Sequence, residues 1–164
     1  LAIERLTECV EELQRAGNQV RLRPETMGKS AMLGSFEDVL QFAKALPSVE
    51  PCIDFAHLHA RPGDGSMNSY EEWSRLLEQM GKTIGEKSLK RLHIHLSGID
   101  YSAKGEREHL PIQEADLDVR AIFRALKDFN CQGRILCESP ILEEDALYLR
   151  QLWMEVAGNY PIKI

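Results

Sequence analysis

Apolar positions recur along the chain with two periods that alternate. Ile3, Leu6, Val10 and Leu13 fall at helical spacing within residues 1–16, and Ala16-Gly17-Asn18 supplies a stop. The next run, QVRLRPET, reads as a short strand. Ser35 then caps a helix, FEDVLQFAKAL, which ends before Pro47. A second strand signal, PCIDFAH, is followed by a Gly-rich loop and a helix from about Ser69 to Ile84, with Asn68 or Ser69 as its cap. LKRLHIHLSG is the third strand. A long polar loop, IDYSAKGEREHLPIQEAD, leads to the helix LDVRAIFRALKDF, and Gly133 opens a fourth strand, RILCES. The helix EEDALYLRQLWMEVA follows, and the tail GNYPIKI carries only a weak signal.

The order is α(βα)₄, an α/β chain without linker, low-complexity run or clear internal repeat. Strands that alternate with helices imply a parallel sheet with right-handed crossovers. Two architectures offer that sheet: a small doubly wound fold and part of a (β/α)₈ barrel. A doubly wound fold would carry a phosphate loop after its first strand. Here that loop is TMGKSAMLGS, which has neither G-x-G-x-x-G nor G-x-x-x-x-G-K-[ST]. A barrel instead gathers its chemistry at the C-terminal ends of several strands.

Those ends carry unusual residues: Glu25 in RPET, Asp54 and His57 in CIDFAH, His95 in HIHL and Glu138 in LCES. Parity lets them converge. Leu92, Ile94 and Leu96 share one strand face and His93 and His95 the other, while Ile135 and Cys137 oppose Leu136 and Glu138. A single strand-end carboxylate is ordinarily a helix cap or ion-pair partner, and a single histidine is ordinarily structural. Four strands in four ending this way point to a cation, because buried carboxylates repel one another unless a positive charge compensates them. Carboxylates with one imidazole suit Zn²⁺ or Mn²⁺ better than the all-oxygen shell that Mg²⁺ prefers. His59 and His93 do not share this convergence and read as structural or supporting.

Composition narrows the class. With 164 residues, 43% hydrophobic and 28% charged, the chain has the content of one domain with its own core. A net charge of −6 provides no general basic field for a polyanion. No apolar run reaches the roughly 18 residues needed to span a bilayer, and no signal-peptide pattern is present. A cytoplasmic location is therefore expected. Cys9, Cys52, Cys131 and Cys137 form no C-x-x-C pair, which favours free thiols over disulfides. The chain opens directly on a helix without Met or N-cap, so it reads as a single domain or a fragment of a larger one.

The series E-T-M-G, L-G-x-F-E, C-I-D-x-x-H, H-x-H-L and L-x-E-S, over about residues 19–140, resembles the C-terminal half of the endonuclease IV family of apurinic/apyrimidinic endonucleases, part of the xylose-isomerase-like barrel superfamily. That resemblance implies a (β/α)₈ barrel of which this chain supplies strands 5–8. It also implies two to three zinc ions at the mouth and cleavage of DNA on the 5′ side of an abasic nucleotide. By the same resemblance Glu25 bridges the first two ions, and Asp54, His95 and Glu138 complete the second. His57 would bind the third, and Glu25 and Glu138 would be the catalytic carboxylates. The loop after His95 should complete the third site with D-x-H, but reads GEREHLP. Aligned with the family's pattern, Glu106 replaces the aspartate, Glu108 takes the liganding position and His109 follows it.

A four-unit piece cannot close a barrel that needs about 250 residues. A partner chain, or a half-barrel beyond this sequence, is therefore expected to complete it. A second function stays open: sugar isomerases and epimerases of the superfamily share the Glu, Asp, His, Glu set around one Mn²⁺ or Mg²⁺. Their partner would be a small sugar instead of DNA with an abasic site. A diverged, inactive barrel is the remaining alternative.

Overall fold

The computed structural model describes residues 1–159 and 161–164. Helix α1 (Ala2–Arg15) and helix α2 (Phe36–Ala45) come first, followed by strand β1 (Cys52–Asp54) and two helices, α3 (Phe55–Ala60) and α4 (Tyr70–Ile84). Strands β2 (Leu92–Leu96), β3 (Gly98–Ser102) and β4 (Gly105–Leu110) lead to α5 (Val119–Asp128), and β5 (Gly133–Cys137), α6 (Glu143–Ala157) and β6 (Ile162–Lys163) close the order. The caps follow the sequence. Ser35 and Ser69 each form a capping box, with Asp38 and Glu72 respectively, and the Asp118 side chain accepts from the Ala121 N–H.

The main sheet is parallel, in the order β1-β2-β5-β6. β1 and β2 align Cys52 with His93 and Asp54 with His95, while β2 and β5 align Ile94 with Ile135 and His95 with Leu136. One face carries Ile53, Leu92, Ile94, Leu96 and Ile135, all buried in a single core with Leu40, Trp73, Leu77, Ile122, Phe123, Leu149 and Trp153 from the helices. Each such side chain contributes about 1.5–3 kcal/mol on burial. Helices α2, α4, α5 and α6 neighbour one another in that order over this face. The other face holds His93, His95 and Leu136, the last 40% exposed. One helix layer on one face of a parallel sheet is the arrangement of part of a (β/α)₈ barrel, with the histidine face as the barrel interior.

Four departures from the sequence reading have physical causes. QVRLRPET makes only two isolated parallel bridges to the β1 side, Leu22 with Val49 and Glu25 with Cys52. Pro24 within it has no N–H to donate, although its carbonyl accepts from Cys52 at 2.9 Å. PCIDFAH is a strand only to Asp54, which caps α3 by accepting the His57 N–H at 2.8 Å. The long polar loop is a hairpin, β3 and β4 forming a separate antiparallel sheet. The weak tail supplies β6, and Tyr160 within it lies outside the described residues.

The hairpin folds against backbone. Gly28 accepts the Glu106 N–H on its carbonyl at 3.0 Å, and a Cβ there would stand 2.6 Å from the Glu106 Cβ. That close approach explains the glycine of E-T-M-G. Arg61 holds the neighbouring loop by donating to the carbonyls of Met27 and Lys29 at 2.8 Å and of Met32 at 3.0 Å.

Candidate metal centre

The parallel sheet brings the strand-end residues to one rim, as the shared parity requires. Glu25, Asp54, His95 and Glu138 each offer a ligand atom within 4.8 Å of the others. The Nδ1 of His95 lies 3.0 Å from Glu25 Oε1 and 3.0 Å from Glu138 Oε1. Thr26 anchors the arrangement: its hydroxyl accepts the Asp54 N–H at 2.9 Å, and its own N–H donates to Cys52 at 3.1 Å. Asp54 is wholly buried, and while Oδ1 caps α3, Oδ2 has no hydrogen-bond partner among the described residues.

A second group adjoins the first and shares Asp54 with it: Asp54, His57 and His109. His57 donates Nδ1–H to the Thr26 carbonyl at 2.9 Å, and His109 donates Nδ1–H to the Glu138 carbonyl at 3.0 Å. Their Nε2 atoms then face each other at 3.3 Å. Glu106 Oε2, buried and without a hydrogen bond among the described residues, lies 3.7 Å from His57 Nε2. Glu25 Oε1 stands between the groups, 3.0 Å from His95 and 3.5 Å from His57.

A bulge builds this second group. Tyr101 pairs with Glu106 and Asp100 with Glu108, so Arg107 is one residue too many on β4 and pairs its guanidinium with Asp100 at 3.0 Å. Glu106 and His109, three apart, thereby turn to the same side. Glu108 is exposed and belongs to neither group, which corrects its assignment to the liganding position. His109 occupies that place.

Electrostatics favour a cation. Burial pushes the Asp54 carboxyl above the ordinary carboxylate range, although His57 pulls it down. The hydrogen bond from His95 holds Glu25 below that range despite burial. His95 is pushed up to about 11, first by the Cys52 side chain and then by Glu25. Since burial raises the Cys52 thiol as well, Glu25 is the partner that is charged at neutral pH. Two imidazole lone pairs aimed at each other, two orphaned carboxylate oxygens and every histidine Nδ1–H of the second group on a carbonyl together fit a divalent ion.

His59 is structural, as expected. It is fully buried, with Nδ1 2.8 Å from the Met67 carbonyl and Nε2 2.9 Å from Asp116, whose other oxygen takes the Tyr101 hydroxyl at 2.7 Å. This fastens β3 to α3. A residue the sequence reading missed fastens the other end: buried Asp145 accepts the Ile112 N–H at 2.7 Å and the Ser139 hydroxyl at 2.5 Å. It ties the chain just beyond His109 to the residue just beyond Glu138. In the sequence it is one of three acids opening α6, and nothing in EED marks the inward one.

Compared with known proteins, the family described as xylose isomerase-like TIM barrel matches residues 1–154. An uncharacterized protein of Methanocaldococcus jannaschii is 40% identical over 151 residues, 92% of this chain and 55% of the relative. A probable endonuclease 4 of Staphylococcus aureus is 30% identical over 149 residues, 87% of this chain and 49% of the relative. The chain spans about half the length of the curated relatives it matches.

Proposed function

The chain belongs to the xylose isomerase-like TIM barrel family, and we propose that, within a completed barrel, it is the catalytic half of a zinc-dependent endonuclease that hydrolyses DNA 5′ to an abasic site. The observation that carries this reading is the second ligand group. His57, His109 and Glu106 adjoin Glu25, Asp54, His95 and Glu138, and Asp54 belongs to both groups named by geometry. Adjacent cation positions suit a phosphodiester, whose attacking and leaving oxygens both need charge stabilisation. The resemblance to a probable endonuclease 4 supports the same reading.

Divalent ions bound there supply charge for the phosphate and lower the pKa of a water. Glu25, facing both groups, holds their spacing. Glu138, 36% exposed at the rim, is free on its outer side to orient the water and take its proton. Buried Asp54, whose Oδ2 has no hydrogen-bond partner among the described residues, would be a ligand beneath, a bound cation offsetting the cost of its burial. An abasic nucleotide, unpaired and cheaply extruded, can reach a recessed site of this kind. The open histidine face of the sheet is where the other half-barrel would close.

The four-residue group is also complete in itself, which supports a second reading: a sugar isomerase or epimerase with one Mn²⁺ or Mg²⁺, in which Glu25 and Glu138 move a proton between adjacent carbons. The full-length protein, assayed with Zn²⁺ on a duplex bearing one abasic site and with Mn²⁺ on a ketose panel, separates the two. Incision on the 5′ side is expected. Ketose turnover without incision would end the nuclease reading.

A further inference from the structure

Below the rim, the same sheet face carries donors that the endonuclease reading does not use. Register places Cys52 beside His93 and, two residues on, Asp54 beside His95. Since alternate residues share a face, the four side chains form a two-by-two block, with Asp54 and His95 at the rim and Cys52 and His93 one row deeper. Cys52, His93 and His95 each offer a ligand atom within 4.8 Å of the other two. The rings of His93 and His95 meet edge to face at 5.3 Å.

We propose that Cys52, His93 and His95 form a second kind of metal site, selective for a thiophilic d¹⁰ cation such as Cu⁺ or Cd²⁺. One thiolate and two imidazoles are soft and borderline donors, whereas the rim group is mostly carboxylate. The surroundings sharpen the selectivity. Arg23, Lys90, Arg91, Arg134 and Lys163 line the same pocket as His93. Arg23 and Arg91 are paired with Glu50, and the remaining positive charge opposes any cation, so binding depends on the metal–sulfur bond that thiophilic ions form best. As the metal–sulfur bond forms, the Cys52 thiol proton and the proton that His95 carries both leave to solvent.

His95 belongs to both groups. A neutral imidazole offers one lone pair, so a cation in the deeper row and one at the rim exclude each other. Thiophilic metals thus act as antagonists of the rim site by taking its histidine.

Cadmium titration of the 164-residue chain tests this, read by the thiolate-to-cadmium charge-transfer band in the ultraviolet. One equivalent should develop the band in the wild type and in a Cys9→Ser, Cys137→Ser control. Cys52→Ser should abolish it, and His93→Ala should weaken the apparent affinity about tenfold or more. Circular dichroism confirms that each variant is folded, and His93→Gln serves where His93→Ala is not. No band in the wild type, or a band that survives Cys52→Ser, overturns the proposal. Zinc preloaded at the rim should raise the cadmium needed for half-development, and an unchanged midpoint overturns the exclusion.

Discussion

The imidazoles of His57 and His109 present Nε2 to Nε2 at 3.3 Å, each with its Nδ1 committed to a main-chain carbonyl. Two neutral rings so held point lone pair at lone pair, and only a proton or a metal between them turns repulsion into attraction. Native mass spectrometry of the chain with Zn²⁺ should therefore count one ion fewer in His109→Ala and in His57→Ala than in the wild type. Glu108→Ala should match the wild type, because that side chain is exposed and outside both groups.

Asp145 holds the two ends of this arrangement with one carboxylate. Asp145→Ala leaves the buried Ser139 hydroxyl and the Ile112 N–H without their acceptor. A loss of about 3 kcal/mol in urea unfolding is expected. Asp145→Asn should recover part of it. The ion at His109 should weaken more than the one at His95, because His109 leans on the Glu138 carbonyl that Asp145 steadies through Ser139.

Gly28→Ala tests the seat of the hairpin. Its new Cβ would stand 2.6 Å from both the Glu106 Cβ and Oε2. The expected cost is about 1–3 kcal/mol from displaced packing. Zinc affinity of the second group should fall with it, whereas Gly17→Ala, where a Cβ meets nothing within 4 Å, should leave zinc binding unchanged.

His95 links metal to pH. In the metal-free fold its pKa stands at about 11 against an ordinary 6.5, so its contribution to stability is complete below 6.5 and is lost as pH rises through about 11. Zinc at the rim must displace that proton. Calorimetry in buffers of different ionisation enthalpy at pH 7 should show proton release, and affinity should climb about tenfold per pH unit below 11. His95→Ala should remove both the release and the rim ion.

The rim group was legible because it needs only alternation and parallel strands: Glu25, Asp54, His95 and Glu138 sit at the ends of period-two runs, and their convergence follows from the sheet. The hairpin was hidden. GIDYS and GEREHL give the core only Ile99 and part of Tyr101, and otherwise pack on Gly28 and on the His59–Asp116 contact, so no period-two apolar face shows. Helix α3 was hidden for the opposite reason. All six residues of FAHLHA are buried, so no periodicity shows, and only the cap from Asp54 separates helix from strand. Counting positions misassigned Glu108, because a bulge shifts the side a residue faces without changing its number.

Asp54 divides its two oxygens between labours: Oδ1 starts α3 and Oδ2 waits in the buried site. Asn and Ser begin helices about as well as Asp. A lineage that abandoned the chemistry could drift among those three residues at this position and fold unharmed, so an aspartate there is poor testimony of living activity. His57 and His109 have no such second employment in starting a helix. They are the positions at which decay of the proposed activity would first be written into related sequences.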